Sequence, residues 1–464
     1  MYERLLKTIG NLGTPKILVA GDFMLDVYVY GDAMRISPEA PVPILKVTQT
    51  ESRCGGAGSV AADLAALGAV PICIGVVGED AHGGLLKERL AALGADISGI
   101  CEVAARPTTT KQRLIGLAQH RHKQQLMRID QESTDPLAED VCERLLQKYS
   151  EVLEQVDIVC LQDYSKGVLV ADVCKEMIRL AVEAGRKVVV DPMLDPDYSK
   201  YAGATLLTPN RSEASAAVGF DIRDTADAGK AARVLVETLK LDAAIITLDK
   251  EGLYLCTNGV SQLVPARARN VYDVTGAGDA VLATLAVSLS VDGDYLTAAQ
   301  LANIAGGIEV EKFGASTVSV SEMVHEIAGQ FGARNTKLRS LEALMEEISW
   351  RRSRGQTIVF TNGCFDVIHR GHIDYLRFCK AQGDVVVVGL NSDSSVRALK
   401  GPERPINNQY DRAAVLSGLE TVDFIAIFED PSVLSLVKKV QPDVLVKGGD
   451  WGGKEGVVGW EFVE

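Results

Sequence analysis

The stretch GGAGSVAADLAALGAVPICIGVVG (55–78) runs from a glycine turn through an alanine-rich helical segment into an apolar run of β-type residues. A strand that is apolar at almost every position has no wet face, as in a parallel sheet covered by helices on both sides. The same alternation extends outward. KILVAGDF (16–23) precedes it and GLLKERLAALG (84–94) follows; the rhythm returns in DIVCLQDY (157–164), VCKEMIRLAVEAG (173–185), KVVVDP (187–192), a helix at 228–239 and AAIITLD (243–249). Successive βαβ units of this kind predict an α/β fold with a doubly wound parallel sheet. DVYVYG (26–31) and PVPILKVTQT (41–50), and more weakly TTTKQRLIG (108–116), alternate with period two instead. They predict a small β flap, wet on one face, over the ligand edge of the main sheet.

Beyond 318 a polar, charge-rich connection with helical spacing carries a domain boundary between 319 and 340. From TIVFTNG (357–363) a fresh series begins: HIDYLRFCKAQG (372–383), VVVVGLNSD (385–393), DRAAVLSGLE (411–420), FIAIF (424–428), SVLSLVKKV (432–440) and VLVKGG (444–449). This predicts a second, smaller doubly wound, Rossmann-like domain. The expected organisation is therefore a first domain at 1–318, a linker at 319–340 and a second domain at 341–464, with no repeat linking the halves.

With 464 residues, 47% hydrophobic and 24% charged, each half can bury a full core. A net charge of −14 argues against a life on nucleic acid or anionic lipid, so any phosphate must be held locally. The nine cysteines include no CxxC pair and read as reduced thiols of a cytoplasmic protein. The N-terminus lacks an apolar signal-type core, and the apolar run 280–291 is shorter than the roughly 20 residues a membrane-spanning helix needs. Neither export nor a membrane partner is expected.

Chemistry concentrates first in NVYDVTGAGDAVLATLAVSL (270–289), where a Gly-Ala-Gly turn feeds a long apolar helix with Asp279 in its first turn. Glycines let backbone approach an anion, and the free N–H groups of a helix start favour negative charge. Asp279 reads either as an N-terminal helix charge or as the base that takes a proton from a hydroxyl attacking phosphorus. TPNRSE (208–213) and ITLDKEG (246–252) follow apolar runs at the carboxyl edge of the sheet, where open α/β folds bind ligands. GDFMLD (21–26) and CGGAGSVA (54–61) do the same near the start.

Together these segments resemble the ribokinase-like sugar kinases over residues 12–318, with DVTGAGD the most specific element. The resemblance implies that Asp279 is the general base and that Gly276, Ala277 and Gly278 form the anion hole. It implies that Asn210, Arg211, Ser212 and Glu213 lie near the ATP phosphates and Mg2+, Thr247 and Gly252 near the nucleotide, and Asp273 near a monovalent cation such as K+. Asp26, Gly55 and Gly56 would face the sugar. The chain departs from the family at Ser59, where asparagine is usual, and at Asp249, where glycine is usual.

The second concentration is FDVIHRGHIDYL (365–376), with two histidines three apart. That spacing fits the i, i+4 zinc pair poorly and no third ligand is near in sequence. A strand, a glycine turn and a helix put both imidazoles at a helix N-terminus, where they can donate to a phosphate. His369-x-Gly371-His372 resembles the HxGH signature of the nucleotidyltransferases that include glycerol-phosphate cytidylyltransferase, and the likeness extends over 357–464. It implies that His369 and His372 act on the phosphates and that Asn362, Gly363, Phe365 and Asp366 shape the nucleotide pocket. Lys400 and Arg412 become candidates for phosphate contact, and Asp393 and Asp450 for nucleotide or metal.

A ribokinase-like half ahead of an HxGH half resembles the family of bifunctional heptose 7-phosphate kinases and heptose 1-phosphate adenylyltransferases of Gram-negative bacteria. MRISPEAPVPIL (34–45) and KQQLMRID (123–130) strengthen the likeness. It implies ATP-dependent phosphorylation at C1, then adenylyl transfer giving ADP-heptose for lipopolysaccharide core assembly. Lys111, Arg113, Arg121 and Arg128 are candidates for the 7-phosphate. VVGWEFVE (457–464) ends the sequence before the Ser-Thr-Thr segment with which that transferase family contacts ATP, so an intact kinase and a slow transferase are expected. Other readings are a fusion acting on another sugar phosphate and a non-catalytic nucleotide-sensing scaffold. Exposed flap edges would pair two chains, so a homodimer is expected.

Overall fold

The computed structural model describes residues 2–116, 124–267, 275–312, 316–332, 337–430, 432–448 and 457–463. The chain divides into two compact units, Met1–Ile327 and Ala328–Glu464. The division falls within a helix, Val320–Gly332, that occupies much of the expected linker.

In the first unit the strands are β1 (Lys16–Gly21), β2 (Phe23–Ile36), β3 (Pro43–Gly56), β4 (Val70–Gly78), β5 (Asp96–Val103), β6 (Thr110–Gly116) and β7 (Gln124–Gln131). They continue with β8 (Ile158–Gln162), β9 (Lys187–Asp191), β10 (Leu206–Leu207), β11 (Ala243–Thr247), β12 (Gly252–Thr257) and β13 (Ser261–Pro265). Among the described residues the main sheet runs β13-β12-β11-β10-β9-β8-β1-β4-β5, parallel from β11 to β5 with an antiparallel pair at one edge. The central strands β1, β8 and β9 are apolar at nearly every position and buried, because helices cover both faces. Every central strand ends at the same edge, which brings Gly21, Gln162, Asp191, Thr208 and Thr247 together.

The flap is a separate sheet in the order β3-β2-β6-β7. It begins one residue after β1, at Phe23, and returns through Gly55–Gly56 directly into the helix Ala57–Ala66. Its fourth strand, β7, is exposed at all eight positions, so no hydrophobic alternation announces it.

In the second unit the strands are β14 (Ile358–Gly363), β15 (Val385–Asn391), β16 (Phe424–Phe428) and β17 (Val444–Leu445), all parallel in the order β16-β15-β14-β17. One face buries Phe360, Val385 and Val387 against Leu344 and Ile348 of the helix Leu341–Ser353. The other buries Val359, Val386 and Val388 against Leu376, Ala413 and Leu416.

Candidate active sites

The helix Ala277–Val291 starts from Gly276, whose φ of 91° lies in the left-handed region open to glycine, and among the described residues no side chain caps it. Its first-turn N–H groups are thus available to an anion. Asp279 sits in that turn, 5% exposed, and its Oδ1 accepts from Gln162 Nε2 at 3.0 Å and from Tyr164 Oη at 3.2 Å. Burial and the nearby Asp191 push the Asp279 pKa up to about 8, opposed by hydrogen bonds from Ser59 and Tyr164. A carboxylate poised there is basic enough to take a hydroxyl proton near neutral pH.

Behind it, Gln162 Nε2 also donates to Asp191 Oδ2 at 2.8 Å, and Thr208 Oγ1 donates to Asp191 Oδ1 at 3.0 Å. Burial raises the Asp191 pKa to about 6 against those two hydrogen bonds. Gln162, Tyr164 and Asp191 were absent from the sequence reading. Their signal was position: Gln162 and Asp191 are the last residues of the apolar runs DIVCLQ and KVVVD.

Toward β11, Asn210 caps the helix Arg211–Val218 by accepting from the N–H groups of Ser212 and Glu213, and Glu213 Oε2 accepts from Asn210 N at 2.7 Å. Burial lifts the Glu213 pKa to about 7. Arg211 is held by Asp249 at 3.2 Å and Glu251 at 2.8 Å. Asp249 has φ 53°, so the family's usual glycine is replaced at a position that would suit it. A Cβ on Gly252 would lie 2.2 Å from Val264 O, so backbone packing alone demands glycine there.

On the flap side, Asp26 Oδ1 accepts from Arg113 Nη1 at 2.5 Å, with both side chains largely buried. A Cβ on Gly55 would lie 2.5 Å from Asp26 Oδ2, and one on Gly56 2.4 Å from Asp22 O. Lys111 lies with Nζ 5.1 Å above the ring of Tyr164, and burial lowers its pKa. Arg128 is exposed and forms two 2.9 Å bonds to Asp130. Arg53, which the sequence reading passed over, pairs in register with Asp26 and lies over the Tyr28 ring at 5.2 Å, as Arg113 does. Arg121 and Asp273 lie outside the described residues.

In the second unit, His369 caps the helix Arg370–Lys380: its Nδ1 accepts from Gly371 N at 3.1 Å, while His372 Nδ1 accepts from His369 N at 3.4 Å. An imidazole that accepts at Nδ1 carries its proton on Nε2, so each ring offers one N–H donor away from the helix. Phe365 packs 5.2 Å from His372 and adopts φ 43°. Gly363 fits beneath it, since a Cβ there would meet the Phe365 ring at 3.0 Å. Asn362 buries an Oδ1 that has no hydrogen-bond partner among the described residues, while Lys447, another residue passed over, donates to Asn362 O at 3.3 Å.

Two candidates have other work. Asp366 is bound by Arg404 at 2.6 Å and by Ile406 N at 2.7 Å, which ties down the 404–407 turn. Arg412 is 1% exposed and donates to Asn407 O, Cys364 O and Asp393 Oδ1 at 3.0, 2.6 and 2.7 Å. In this arrangement its guanidinium braces the turn. Lys400 stays exposed at the end of the helix Asp393–Lys400, and Asp450 lies outside the described residues.

Comparison with known proteins agrees with both halves. The model for the pfkB family of carbohydrate kinases matches residues 14–322 and that for cytidylyltransferase-like proteins matches 360–454. The Bifunctional protein HldE of Geobacter metallireducens is 45% identical over 96% of this chain and 90% of its own length. That of Wolinella succinogenes is 44% identical over 97% and 94%. Among solved structures, Escherichia coli phosphofructokinase-2 with substrates and products superposes on 68% of this chain and 99% of its own at TM-score 0.57 and 20% identity. Arabidopsis thaliana ribokinase with ribose and ATP superposes on 68% and 99% at 0.53 and 19%, so the first unit has the ribokinase-like fold. With both halves matched and these relatives covered over nearly their whole length, the chain belongs to the bifunctional HldE family of sugar kinase and nucleotidyltransferase fusions.

Proposed function

We propose that the first unit transfers the γ-phosphoryl group of ATP to O1 of D-glycero-D-manno-heptose 7-phosphate, and that the second transfers AMP from ATP to heptose 1-phosphate, releasing pyrophosphate. The carrying observation is Asp279, buried in the first turn of an uncapped helix with a pKa of about 8. The sugar hydroxyl gives its proton to Asp279 as its oxygen bonds to phosphorus, and the N–H groups of 276–278 face the growing negative charge. Mg2+ supplies charge neutralisation between the phosphates; Glu213 fits such an ion, since its Oε1 lies outside the capping box. In the second unit the nucleophile is already an anionic phosphate, so no base is needed. The two Nε2–H donors and Lys400 answer the charge at the α-phosphate, and the buried, unpartnered Oδ1 of Asn362 fits a donor on the nucleotide.

Lys111 above Tyr164, the residue that donates to Asp279, is the basic candidate we favour for the 7-phosphate, while Arg113 is held by Asp26. The exposed flap edges support a homodimer. Among the described residues no helix is long and apolar enough to cross a membrane, and nine free cysteines fit a reducing cytoplasm. The test is ATP consumption over a panel of sugar phosphates, with Asp279→Asn alongside. Heptose 7-phosphate should give the highest kcat/KM, and Asp279→Asn should lower kcat by about 10³-fold while ATP still binds. Preference for a pentose or hexose phosphate would replace the substrate; an active variant would remove Asp279 from the mechanism.

A further inference from the structure

Gln162 is fully buried at the end of β8, and its one amide nitrogen reaches two carboxylates: Asp191 Oδ2 at 2.8 Å and Asp279 Oδ1 at 3.0 Å. Its Oε1 is buried with no hydrogen-bond partner among the described residues. The opposite amide orientation would set that oxygen against two carboxylates, so the orphaned acceptor is the cost of aiming both hydrogens at them. We infer that Gln162 is a positioning residue of the kinase reaction: it clamps Asp191 and Asp279 together, fixes the base's carboxylate plane and keeps it able to ionise beside a second acid.

The inference rests on Asp279 being the base. The surroundings explain why a clamp is needed. Asp279 faces Asp191 from β9, Asp63 and Ser59 from the helix Ala57–Ala66, Asp26 from the flap and Tyr164 from the loop after β8, with Lys111 stacked over Tyr164. Three of these neighbours are carboxylates: Asp191 and Asp26 oppose its ionisation, and Asp279 in turn holds Asp63 toward its neutral form. Neutral donors from Gln162, Tyr164 and Ser59 are what hold the anion, and Gln162 alone among them also serves the second carboxylate. Ser59 brings a hydroxyl to the base, and the amide beside it comes from the end of β8.

The experiment compares kcat for the kinase reaction against pH in the full chain, for wild type, Gln162→Leu and Asp191→Asn. Loss of the amide should move the acidic limb of Gln162→Leu upward by about one pH unit, the worth of one hydrogen bond to a charged group, with KM for ATP unchanged. Activity at pH 7 then falls about tenfold and returns at higher pH. Asp191→Asn removes a like charge, and its limb should move the other way. Limbs that stay in place in both variants, or equal losses at every pH, overturn the clamp. Should Asp279→Asn keep its activity, the base assignment itself fails; if Asp279→Asn is inactive and neither limb moves, only the clamp does.

Discussion

The rings of His369 and His372 lie 4.1 Å apart at the start of one helix, and each spends its Nδ1 on a backbone N–H. Protonating His372 at Nδ1 would put a hydrogen where the backbone already donates. Burial, His369 and Lys400 accordingly hold the His372 pKa below its ordinary 6.5. His369→Asn keeps an acceptor near the Nδ1 position and loses the outward donor. It should lower adenylyl transfer by about 10²-fold or more with the kinase rate unchanged, measured as pyrophosphate release against ADP formation in the same preparation. A lowered folded-state pKa also means that the unfolded chain binds more protons. The contribution is complete above about pH 6.5 and is lost as pH falls below it, so melting of the second unit should weaken on acidification more than in His372→Asn.

Arg412 and Lys400 separate cleanly. Arg412→Met strips three acceptors of a buried guanidinium and leaves Asp393 without its partner, so the second unit should lose about 3 kcal/mol or more of stability in urea unfolding. Lys400→Met touches an exposed side chain and should leave stability within about 0.5 kcal/mol while weakening ATP binding. Normal stability with lost ATP affinity in Arg412→Met would return that residue to the phosphate site.

The contrast explains what was legible in the sequence. A glycine turn feeding a helix, with an aspartate or a histidine pair in its first turn, is a local signal: backbone geometry and side chain lie within a few residues, so both candidate sites can be marked from the sequence. The partners of Asp279 come from β8, β9 and the helix Ala57–Ala66, more than 80 residues away, and only their place at strand ends marks them. The burial of Arg412 was not legible, because burial of a long polar side chain depends on what folds over it. The edge strand β7 was missed because it is exposed at every position and shows no alternation. The Nδ1 contacts of the two histidines depend on local backbone geometry, which spacing does not carry.

Gly55 is a packing choice at the sugar side. Its neighbour Asp26 cannot swing away, being fixed to Arg113 at 2.5 Å, so a methyl group at 55 must push the carboxylate off its place. Gly55→Ala should raise KM for the sugar phosphate about tenfold or more with KM for ATP unchanged. Equal effects on both substrates would mean that the flap as a whole had shifted.

Asp279 also leaves a signature in stability. Its pKa rises from 3.8 to about 8 on folding, so between these values the folded chain holds a proton that the unfolded chain releases. That contribution is complete below about pH 4, declines as pH rises and is gone above about pH 8. Asn at 279 never ionises and cannot follow that course. The difference in unfolding free energy between Asp279→Asn and wild type should therefore grow in favour of the variant from pH 5 to pH 9, measured by urea unfolding of the first unit's transition without ligands. A difference that stays flat over this range would mean that Asp279 is ionised throughout, and its role as a base recruited near neutral pH would need another origin.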